Sequence, residues 1–368
     1  MRILHTESSR GWGGQEIRIL REAEGMRERG HEIIFAVNRG GELISRAKKS
    51  GFLVYELPFK KISALKTIYA LVKICRAHQI DLINTHSSLD AWMGGIAARI
   101  GKKKVIRTRH LSTPIRKGLN SRILYHTLAD FVVTTSTPIL ATIGKQARLP
   151  PFRLQCIPTG IDSHALKADP LKAAEFRASL GVGPSDILVG TACFVRSWKG
   201  IHDLLQAAAL LKERKEIKWV VVGGGHVDDY RSKIPELGLE KIVTFTGHLE
   251  TPFSAIRAMD IFVMLSTAHE GVSQASLQAA YLERPLVTTP IGGLPEVCLD
   301  GKTGLVVPPL SPESVAEAII KLVDHPNLRV QFGSNGKQLV EEKFTWQQTL
   351  DEMEKVYGVI TDRGKNGS

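Results

Sequence analysis

Short runs of apolar residues recur along the chain, separated by longer stretches in which apolar residues repeat every three or four positions. The short runs predict strands buried on both faces, and the longer stretches predict amphipathic helices. The predicted strands are Arg2–Leu4, Glu32–Val37, Asp81–Asn84, Lys104–Arg107, Phe131–Thr134, Leu188–Ala192, Lys218–Val222, Ile242–Thr246, Ile261–Leu265, Leu286–Thr288 and Gly304–Val307. The clearest predicted helices are Gln15–Arg29, Ala64–His78 and Phe344–Ile360.

Strands and helices alternate in two successive blocks, which is typical of parallel sheets covered by helices on both faces. The 368 residues are enough for two ordinary domains. We therefore predict an α/β protein with two Rossmann-like, doubly wound domains, joined within Cys156–Asp169. The predicted first domain covers residues 1–163, the second covers 164–345, and a C-terminal helix with a tail covers 346–368.

The composition is that of a globular protein, with 43% hydrophobic and 23% charged residues. No apolar run reaches the roughly 20 residues of a membrane-spanning helix. The N-terminal sequence lacks the apolar stretch of a signal peptide. The four cysteines are scattered, which favours reduced thiols over a disulfide framework or a metal site. These features predict a cytoplasmic protein.

The net charge of +12 is concentrated in the first half of the chain. Residues 1–163 carry 27 Lys and Arg against 12 Asp and Glu, whereas the remaining residues carry 22 against 25. Ala91–Ala129 contains nine basic residues and no acid. A field of one sign predicts an anionic partner for the first domain: a phosphorylated substrate, an anionic membrane surface or nucleic acid. Because Trp92 is the only aromatic residue in 91–122, we expect no nucleic-acid partner.

Glycine-rich turns end two of the predicted strands. In GWGGQE (11–16), Gly13 and Gly14 would let backbone N–H groups approach a phosphate at a helix N-terminus. In VVVGGGH (220–226), Gly224 lies in a second turn of this kind. Glycine is equally suited to a tight strand-to-helix turn without a ligand. The first turn is not a GxGxxG with a downstream acid, which argues against a dinucleotide site.

Charged residues follow two strands of the second half. RSWKG places Arg196 and Lys199 at a strand-to-helix junction, where two cations can neutralise a diphosphate leaving group. HEGVSQASLQ places Glu270 at the carboxyl edge of a strand, where α/β proteins bind ligands and a carboxylate can accept hydrogen bonds from sugar hydroxyls. The simpler interpretations are a solvated basic loop and a carboxylate that caps the following helix.

The order of these motifs resembles the family 4 retaining glycosyltransferases of the GT-B fold. That family has an N-terminal glycine loop, P-N-G-hydrophobic-D at the domain junction, an Arg/Lys-Gly motif, E-x7-E and GG-x-P-E. The segments here are GWGG, IPTGID, RSWKG, EGVSQASLQ and GGLPEVCLDGKTGLVVPP, and the similarity is strongest from Ile157 to Pro309. The resemblance implies two domains facing each other across a cleft that holds a nucleoside diphosphate sugar. It also implies transfer to an acceptor hydroxyl with retention at the anomeric carbon.

The resemblance also assigns roles to single residues. Arg196 and Lys199 would hold the donor phosphates, and Glu270 would contact the transferred sugar. His110, in the RTRH turn, lies where the family often has a histidine close to the donor sugar and the acceptor; His86, in INTHS, is a weaker candidate. The backbone residues assigned to donor binding are Gly13, Gly14, Gly293 and Leu294.

Three departures from the family pattern point to a subgroup. Gln278 stands where the family has its second glutamate, which usually binds the nucleotide ribose. Phe194 occupies the usual arginine position, and Arg196 lies only three residues before Lys199. Thr159 replaces the usual asparagine at the junction.

The sequence has no DxD-type carboxylate pair beside the candidate site, so we expect neither a cofactor nor an essential metal beyond the nucleotide-sugar co-substrate. The basic first domain is expected to face an anionic acceptor, such as a phosphorylated glycolipid or lipopolysaccharide precursor, at the inner face of the membrane. The alternatives are another nucleotide-binding Rossmann enzyme, an epimerase or oxidoreductase, and a nucleic-acid-binding protein. The first alternative should show the GxGxxG that this chain lacks.

Overall fold

The computed structural model of the chain describes residues 1–110, 115 and 118–362. The predicted tail, residues 361–368, therefore lies outside the described residues except for its first two positions. The chain divides into two compact units. The first contains Met1–Pro158 and the C-terminal segment from Gln347, and the second contains Thr159–Trp346. The division falls between Pro158 and Thr159, within the segment that the sequence indicates as the junction.

The first unit is a parallel sheet of seven strands with helices between them. Its strands are β1 Arg2–Glu7, β2 Glu32–Asn38, β3 Leu53–Leu57, β4 Leu82–Thr85, β5 Lys104–Arg109, β6 Phe131–Thr134 and β7 Leu154–Cys156. Its helices are α1 Gly14–Glu28, α2 Leu43–Lys49, α3 Ala64–Ala77, α4 Ser88–Ile100, α5 Leu119–Arg122, α6 Thr137–Ala147 and the C-terminal α15 Trp346–Asp362, whose first residue belongs to the second unit. The strand order is β3-β2-β1-β4-β5-β6-β7.

Two strands of this sheet are absent from the sequence prediction, and both lie at its edges. The side chains of β3 are half-buried or exposed. A strand in this environment needs no continuous apolar run, and the sequence LVYEL does not have one. In β7 there are three residues, all half-buried. An edge strand packs against fewer neighbours than a central one, which leaves a weaker hydrophobic pattern.

The C-terminal helix α15 packs on the first unit through a buried polar and apolar contact with α1. The Tyr357 hydroxyl donates to Glu22 Oε1 at 2.7 Å, and both side chains are fully buried. Gly25 leaves room for Leu350, because a Cβ on Gly25 would lie 2.5 Å from Leu350 Cδ1. The apolar face of this predicted amphipathic helix therefore packs on α1, one of the helices of the first unit.

The second unit is a parallel sheet of six strands. Its strands are β8 Ile187–Ala192, β9 Ile217–Val222, β10 Val243–Gly247, β11 Ile261–Met264, β12 Leu286–Thr288 and β13 Gly304–Val306. Its helices are α7 Pro170–Ser179, α8 Ile201–Leu210, α9 Asp228–Arg231, α10 Lys233–Leu237, α11 Phe253–Ala258, α12 Gln274–Tyr281, α13 Pro312–Asp324 and α14 Pro326–Lys343. The strand order is β10-β9-β8-β11-β12-β13. Among the described helices of both units, none has the length and apolar character needed to cross a bilayer.

The strand order reverses once in each sheet, between β1 and β4 in the first and between β8 and β11 in the second. At such a switch point the loops that leave neighbouring strands diverge and open a crevice at the carboxyl edge, where ligands of α/β proteins bind. The loops after β8 and β11 carry Lys199 and Glu270, whereas His86 follows β4. The topology thus places Lys199, Glu270 and His86 at the switch points of their units.

Candidate functional site

An ion pair joins the two loops at the switch point of the second unit. Lys199, at the end of the 3₁₀ turn Ser197–Lys199, donates to Oε1 of Glu270, and Ser266 Oγ donates to the same oxygen at 2.6 Å. The side chains of Lys199 and Glu270 are 18% and 7% exposed. Within the described part of the chain, no donor contacts Oε2 of Glu270, which leaves that oxygen available to a ligand.

Ser266 is a site residue that the sequence analysis missed. It is fully buried two residues beyond β11, and its carbonyl accepts a hydrogen bond of 2.5 Å from Thr289 Oγ1, directly beyond β12. Ser266 therefore connects the carboxylate of Glu270 to the neighbouring strand. A small polar residue immediately after a buried strand is the only sequence signal for it.

The helix that follows Glu270 has its own cap. Ser273 precedes α12, and its Oγ accepts from the Ser276 N–H at 3.2 Å. The carboxylate of Glu270 is instead directed to Lys199 and Ser266. The simpler interpretation, in which Glu270 caps this helix, is therefore wrong for this structure.

Glycines allow the site loops to approach one another closely. Gly200 has φ +68°, and a Cβ there would lie 2.0 Å from the Leu265 carbonyl oxygen. Gly292 has φ +58°, and its Cβ would lie 1.9 Å from the Glu270 carbonyl oxygen. No other residue tolerates this combination of left-handed backbone and contact distance. The glycines of RSWKG and GGLPE thus hold the backbones around Glu270 in place.

The GGLPE turn presents its two predicted donor-binding residues differently. Gly293 packs against the loop after Glu270, because a Cβ on Gly293 would lie 2.7 Å from Val272 N. Leu294 is fully buried, and its N–H donates to the Ile291 carbonyl at 3.1 Å. The expectation that Leu294 offers a free backbone N–H is therefore corrected, because that donor already closes the turn.

Arg196 lies away from the ion pair, on the exposed side of the same loop. Its guanidinium carbon is 5.0 Å from the Phe194 ring centroid and 5.1 Å from that of Trp198. Arg196 thus stacks on aromatic rings, a favourable placement for a cation, instead of joining Lys199 and Glu270. Phe194, at the position where the family has its arginine, is 57% exposed.

The glycine turn after β9 packs against this loop. The Val195 N–H donates to the Gly224 carbonyl at 2.7 Å, and the His226 N–H donates to the Val195 carbonyl at 3.0 Å. Gly224 therefore lies beside the segment that carries Arg196. Gln278 is half-buried in α12, and no hydrogen bond within the described residues links its side chain to Glu270.

The glycine loop of the first unit is partly occupied by a carboxylate. The Gly13 N–H donates to Glu16 Oε2 at 2.9 Å, and Glu16 is 5% exposed. Apart from its chain neighbours and the backbone of its own helix, no heavy atom of the described residues lies within 4 Å of a Cβ position on Gly14. Of the two predicted phosphate-binding glycines, Gly14 therefore has open space beside it, whereas the N–H of Gly13 already donates to Glu16 of the helix that follows.

His110 is linked to two further histidines at the switch point of the first unit. His86 Nδ1 lies 3.0 Å from His110 Nε2, and His86 Nε2 lies 2.9 Å from His5 Nδ1. Burial lowers the pKa of His5 to about 3 and holds the pKa values of His86 and His110 well below their usual range. The three rings are therefore neutral near pH 7, and each can donate from one nitrogen and accept at the other.

Two family profiles match the chain. The profile described as "Glycosyltransferase Family 4" matches residues 12–165, and that described as "Glycosyl transferases group 1" matches residues 173–339. The chain belongs to the family 4 glycosyltransferases. The predicted family, enzyme class and fold of two Rossmann-like parallel-sheet domains of GT-B type are thereby confirmed.

Individual relatives of this glycosyltransferase differ in how much of the chain they match. An uncharacterized glycosyltransferase of Methanocaldococcus jannaschii is 33% identical over 45% of this chain and 44% of its own. O-antigen chain mannosyltransferase C of Escherichia coli is 26% identical over 98% of this chain and 99% of its own. The crystal structure of Anabaena HepE in complex with UDP and glucose has a TM-score of 0.85 at 22% identity, covering 98% of this chain and 100% of that one. The structural likeness shows the shared fold.

Replacing Glu270 should separate its chemical role from helix capping. We expect Glu270→Gln to lower sugar transfer by roughly 100-fold, the scale of losing one preorganised polar contact in an active site. The matched control, Ser273→Ala, removes the observed cap and should cost about 1 kcal/mol of stability with transfer near the wild-type level. Transfer rates and unfolding midpoints of both purified variants provide the measurement. Near-normal transfer by Glu270→Gln would show that Glu270 has no role in the reaction.

Proposed function

We propose that this glycosyltransferase moves a sugar from a nucleoside diphosphate sugar to an acceptor hydroxyl, with retention at the anomeric carbon. The observation that carries the proposal is the Lys199–Glu270 pair at the switch point of the second sheet. A cation and a carboxylate at this edge suit a ligand that combines phosphates with hydroxyl groups. The UDP and glucose in the structure of Anabaena HepE support this ligand class.

In the proposed mechanism, Lys199 donates to the diphosphate as its charge develops on leaving. Oε2 of Glu270, which has no donor among the described residues, accepts from a hydroxyl of the transferred sugar. Preorganised charges of this kind act where charge builds up in the transition state, which is the largest catalytic effect in most transferases. The acceptor hydroxyl oxygen bonds to the anomeric carbon on the face from which the diphosphate leaves, the bond between that carbon and the diphosphate oxygen breaks, and the hydroxyl proton passes to the departing phosphate oxygen, so that the configuration is retained. We further propose that protein cations supply the positive charge and that no metal is essential.

We propose an anionic glycolipid, such as a polysaccharide or lipopolysaccharide precursor, as the acceptor. The excess of basic residues lies in the first half of the chain. In the first unit, a cavity of about 730 Å³ is lined by three cationic residues and no acid; its lining is Gly118, Leu119, Arg122, Thr142, Lys145, Gln146 and Arg148. Two relatives have names that refer to such glycans: the capsular polysaccharide biosynthesis glycosyltransferase CapM of Staphylococcus aureus and the O-antigen chain mannosyltransferase of Escherichia coli.

The acid-free segment Ala91–Ala129 is not a continuous surface of free cations. Arg107 is 4% exposed, and Arg99 pairs with Asp130 at 3.1 Å. Arg109 Nη1 donates to the Tyr125 hydroxyl at 2.8 Å, and residues 116 and 117 lie outside the described residues. Part of the charge counted along this segment is therefore internal to the fold. Lys102 and Arg122 remain exposed, and another candidate for a membrane-facing surface lies elsewhere in the unit.

The outer face of α3 and the turn before it combine exposed apolar and basic side chains. Ile62, Leu65 and Tyr69 are 96%, 85% and 62% exposed. The basic residues on the same face are all exposed; they are Lys60, Lys61, Lys66, Lys73 and Arg76. Ile68 and Leu71, on the opposite face of the helix, are buried. We propose that this outer face contacts the anionic inner leaflet of the cytoplasmic membrane.

Nucleoside diphosphate binding should stabilise the protein without metal. In the presence of EDTA, we expect UDP, GDP or ADP to raise the unfolding midpoint. At a hundredfold excess of the nucleotide over its Kd, the free energy of unfolding should rise by ~2.7 kcal/mol. Lys199→Met should remove most of the shift, whereas Lys241→Met, at an exposed position in the same unit, should retain it. A thermal-shift titration measures all three proteins. A shift that requires Mg²⁺ or Mn²⁺, or one that Lys199→Met leaves intact, would contradict the proposed phosphate contact.

Vesicle binding tests the outer face of α3. We expect the protein to sediment with vesicles containing anionic lipid, to bind neutral vesicles weakly, and to be released at high salt because surface charges are screened. The triple variant Lys60→Gln, Lys61→Gln, Lys66→Gln should lose about 1 kcal/mol of binding free energy per lysine.

The matched control for charge is Lys212→Gln, Lys241→Gln, Lys302→Gln, which changes three exposed lysines of the second unit. It should bind anionic vesicles like the wild type. Leu65→Asn should weaken binding at constant charge, because the apolar contact is lost. Equal binding of both triple variants, or equal binding to neutral and anionic vesicles, would rule this surface out.

A further inference from the structure

His5, His86 and His110 form a chain of rings across three adjacent strands. His5 lies within β1, His86 follows β4 and His110 follows β5, and these strands pair in parallel in that order. The two nitrogen-to-nitrogen distances are 2.9 Å and 3.0 Å, both within hydrogen-bond range. Each ring therefore uses one or both nitrogens on another ring of the chain.

The number of protons in the chain permits only two arrangements. Three neutral rings carry three N–H groups, and His86 can supply only one of them. Either every ring donates toward His110, which leaves the third proton on His110 Nδ1, or every ring donates toward His5, which leaves it on His5 Nε2. The tautomer of His110 thus depends on the two rings behind it.

The surroundings of His5 decide between these arrangements. His5 Nε2 is buried and has no hydrogen-bond partner among the described residues, and the ring packs near Phe35 at 5.7 Å between centroids. A proton on this nitrogen would be a buried donor without an acceptor, which native structures avoid more strictly than an unused acceptor. The arrangement that places the third proton on His110 Nδ1 is therefore favoured.

We propose that His5 and His86 are positioning residues that hold His110 as its Nδ1–H tautomer, so that Nδ1 donates a hydrogen bond to an oxygen of a bound sugar. The inference rests on the proposed function for the identity of the ligand, and on the ring geometry alone for the tautomer. His110 is half-buried, whereas His5 and His86 are 1% and 2% exposed. The outermost ring is thus the one that meets a ligand, and the inner two act through it, as outer partners fix the orientation and tautomer of metal-bound histidines.

Nitrogen-15 NMR of the full chain with labelled histidine tests the tautomer directly. We expect His110, assigned by the signal lost in His110→Gln, to carry its proton on Nδ1. His86→Leu should abolish this preference, and His86→Asn, whose amide can still donate to His110 Nε2, should restore it. His78, which contacts the Tyr55 hydroxyl at 2.7 Å outside the chain of rings, should be unchanged in every variant. A wild-type His110 protonated on Nε2, or a tautomer unaffected by His86→Leu, would overturn the proposal.

Kinetics provide a second, separable readout. Hydrolysis or transfer of the donor sugar should fall roughly 10–100-fold in His86→Leu, mainly in kcat, and recover in His86→Asn. A fall in rate with an unchanged His110 tautomer would show that His86 acts only on stability, which contradicts the proposal. An inactive wild type with the expected tautomer would instead refute the proposed function and leave the assignment of the tautomer standing.

Discussion

The ion pair between Lys199 and Glu270 is the constraint around which the second unit's site is arranged. Withdrawing two charges from water is costly, and the cost is offset only when the geometry is good and further hydrogen bonds are made. Ser266 supplies such a bond at 2.6 Å, and Thr289 in turn holds the backbone of Ser266. The loops after three neighbouring strands are thereby fixed to one carboxylate.

The pair explains features that would otherwise look unrelated. Gly200 and Gly292 are required because the backbones beside Lys199 and Glu270 approach closer than any side chain allows. A buried ion pair is weak evidence for stability, since apolar residues of the same size often serve as well. Its position at the carboxyl edge and at the switch point of the sheet is what favours a function in ligand binding.

The first unit uses neutral groups at its own switch point. In the chain of rings, His5 and His86 are buried and His110 is half-buried. Burial lowers the pKa of each ring, so the three rings are linked by the direction of their hydrogen bonds and not by charge. The outer face of α3 and the turn before it carry exposed cations, among them Lys66 and Lys73. In the first unit, the exposed cations of α3 and the neutral histidine rings beside β1, β4 and β5 thus lie on different elements.

The central strands could be predicted from the sequence because they are buried on both faces and appear as continuous apolar runs. The edge strands β3 and β7 could not, since partial exposure weakens that pattern. Lys199 and Glu270 stand out as charges at strand ends, and the structure brings them together. Ser266, His5 and the stacking of Arg196 are not visible in the sequence, because they depend on contacts between residues distant along the chain.

Hydrogen exchange with and without a saturating nucleoside diphosphate tests whether the Lys199–Glu270 pair marks the donor site. The nucleotide is the one of UDP, GDP and ADP that stabilises the protein most. We expect the nucleotide to slow the exchange of backbone amides in residues 193–200, 265–273 and 291–296, the loops that surround Lys199 and Glu270. Protection confined to the first unit, with these three loops exchanging at their ligand-free rates, would show that the ion pair does not mark the donor site.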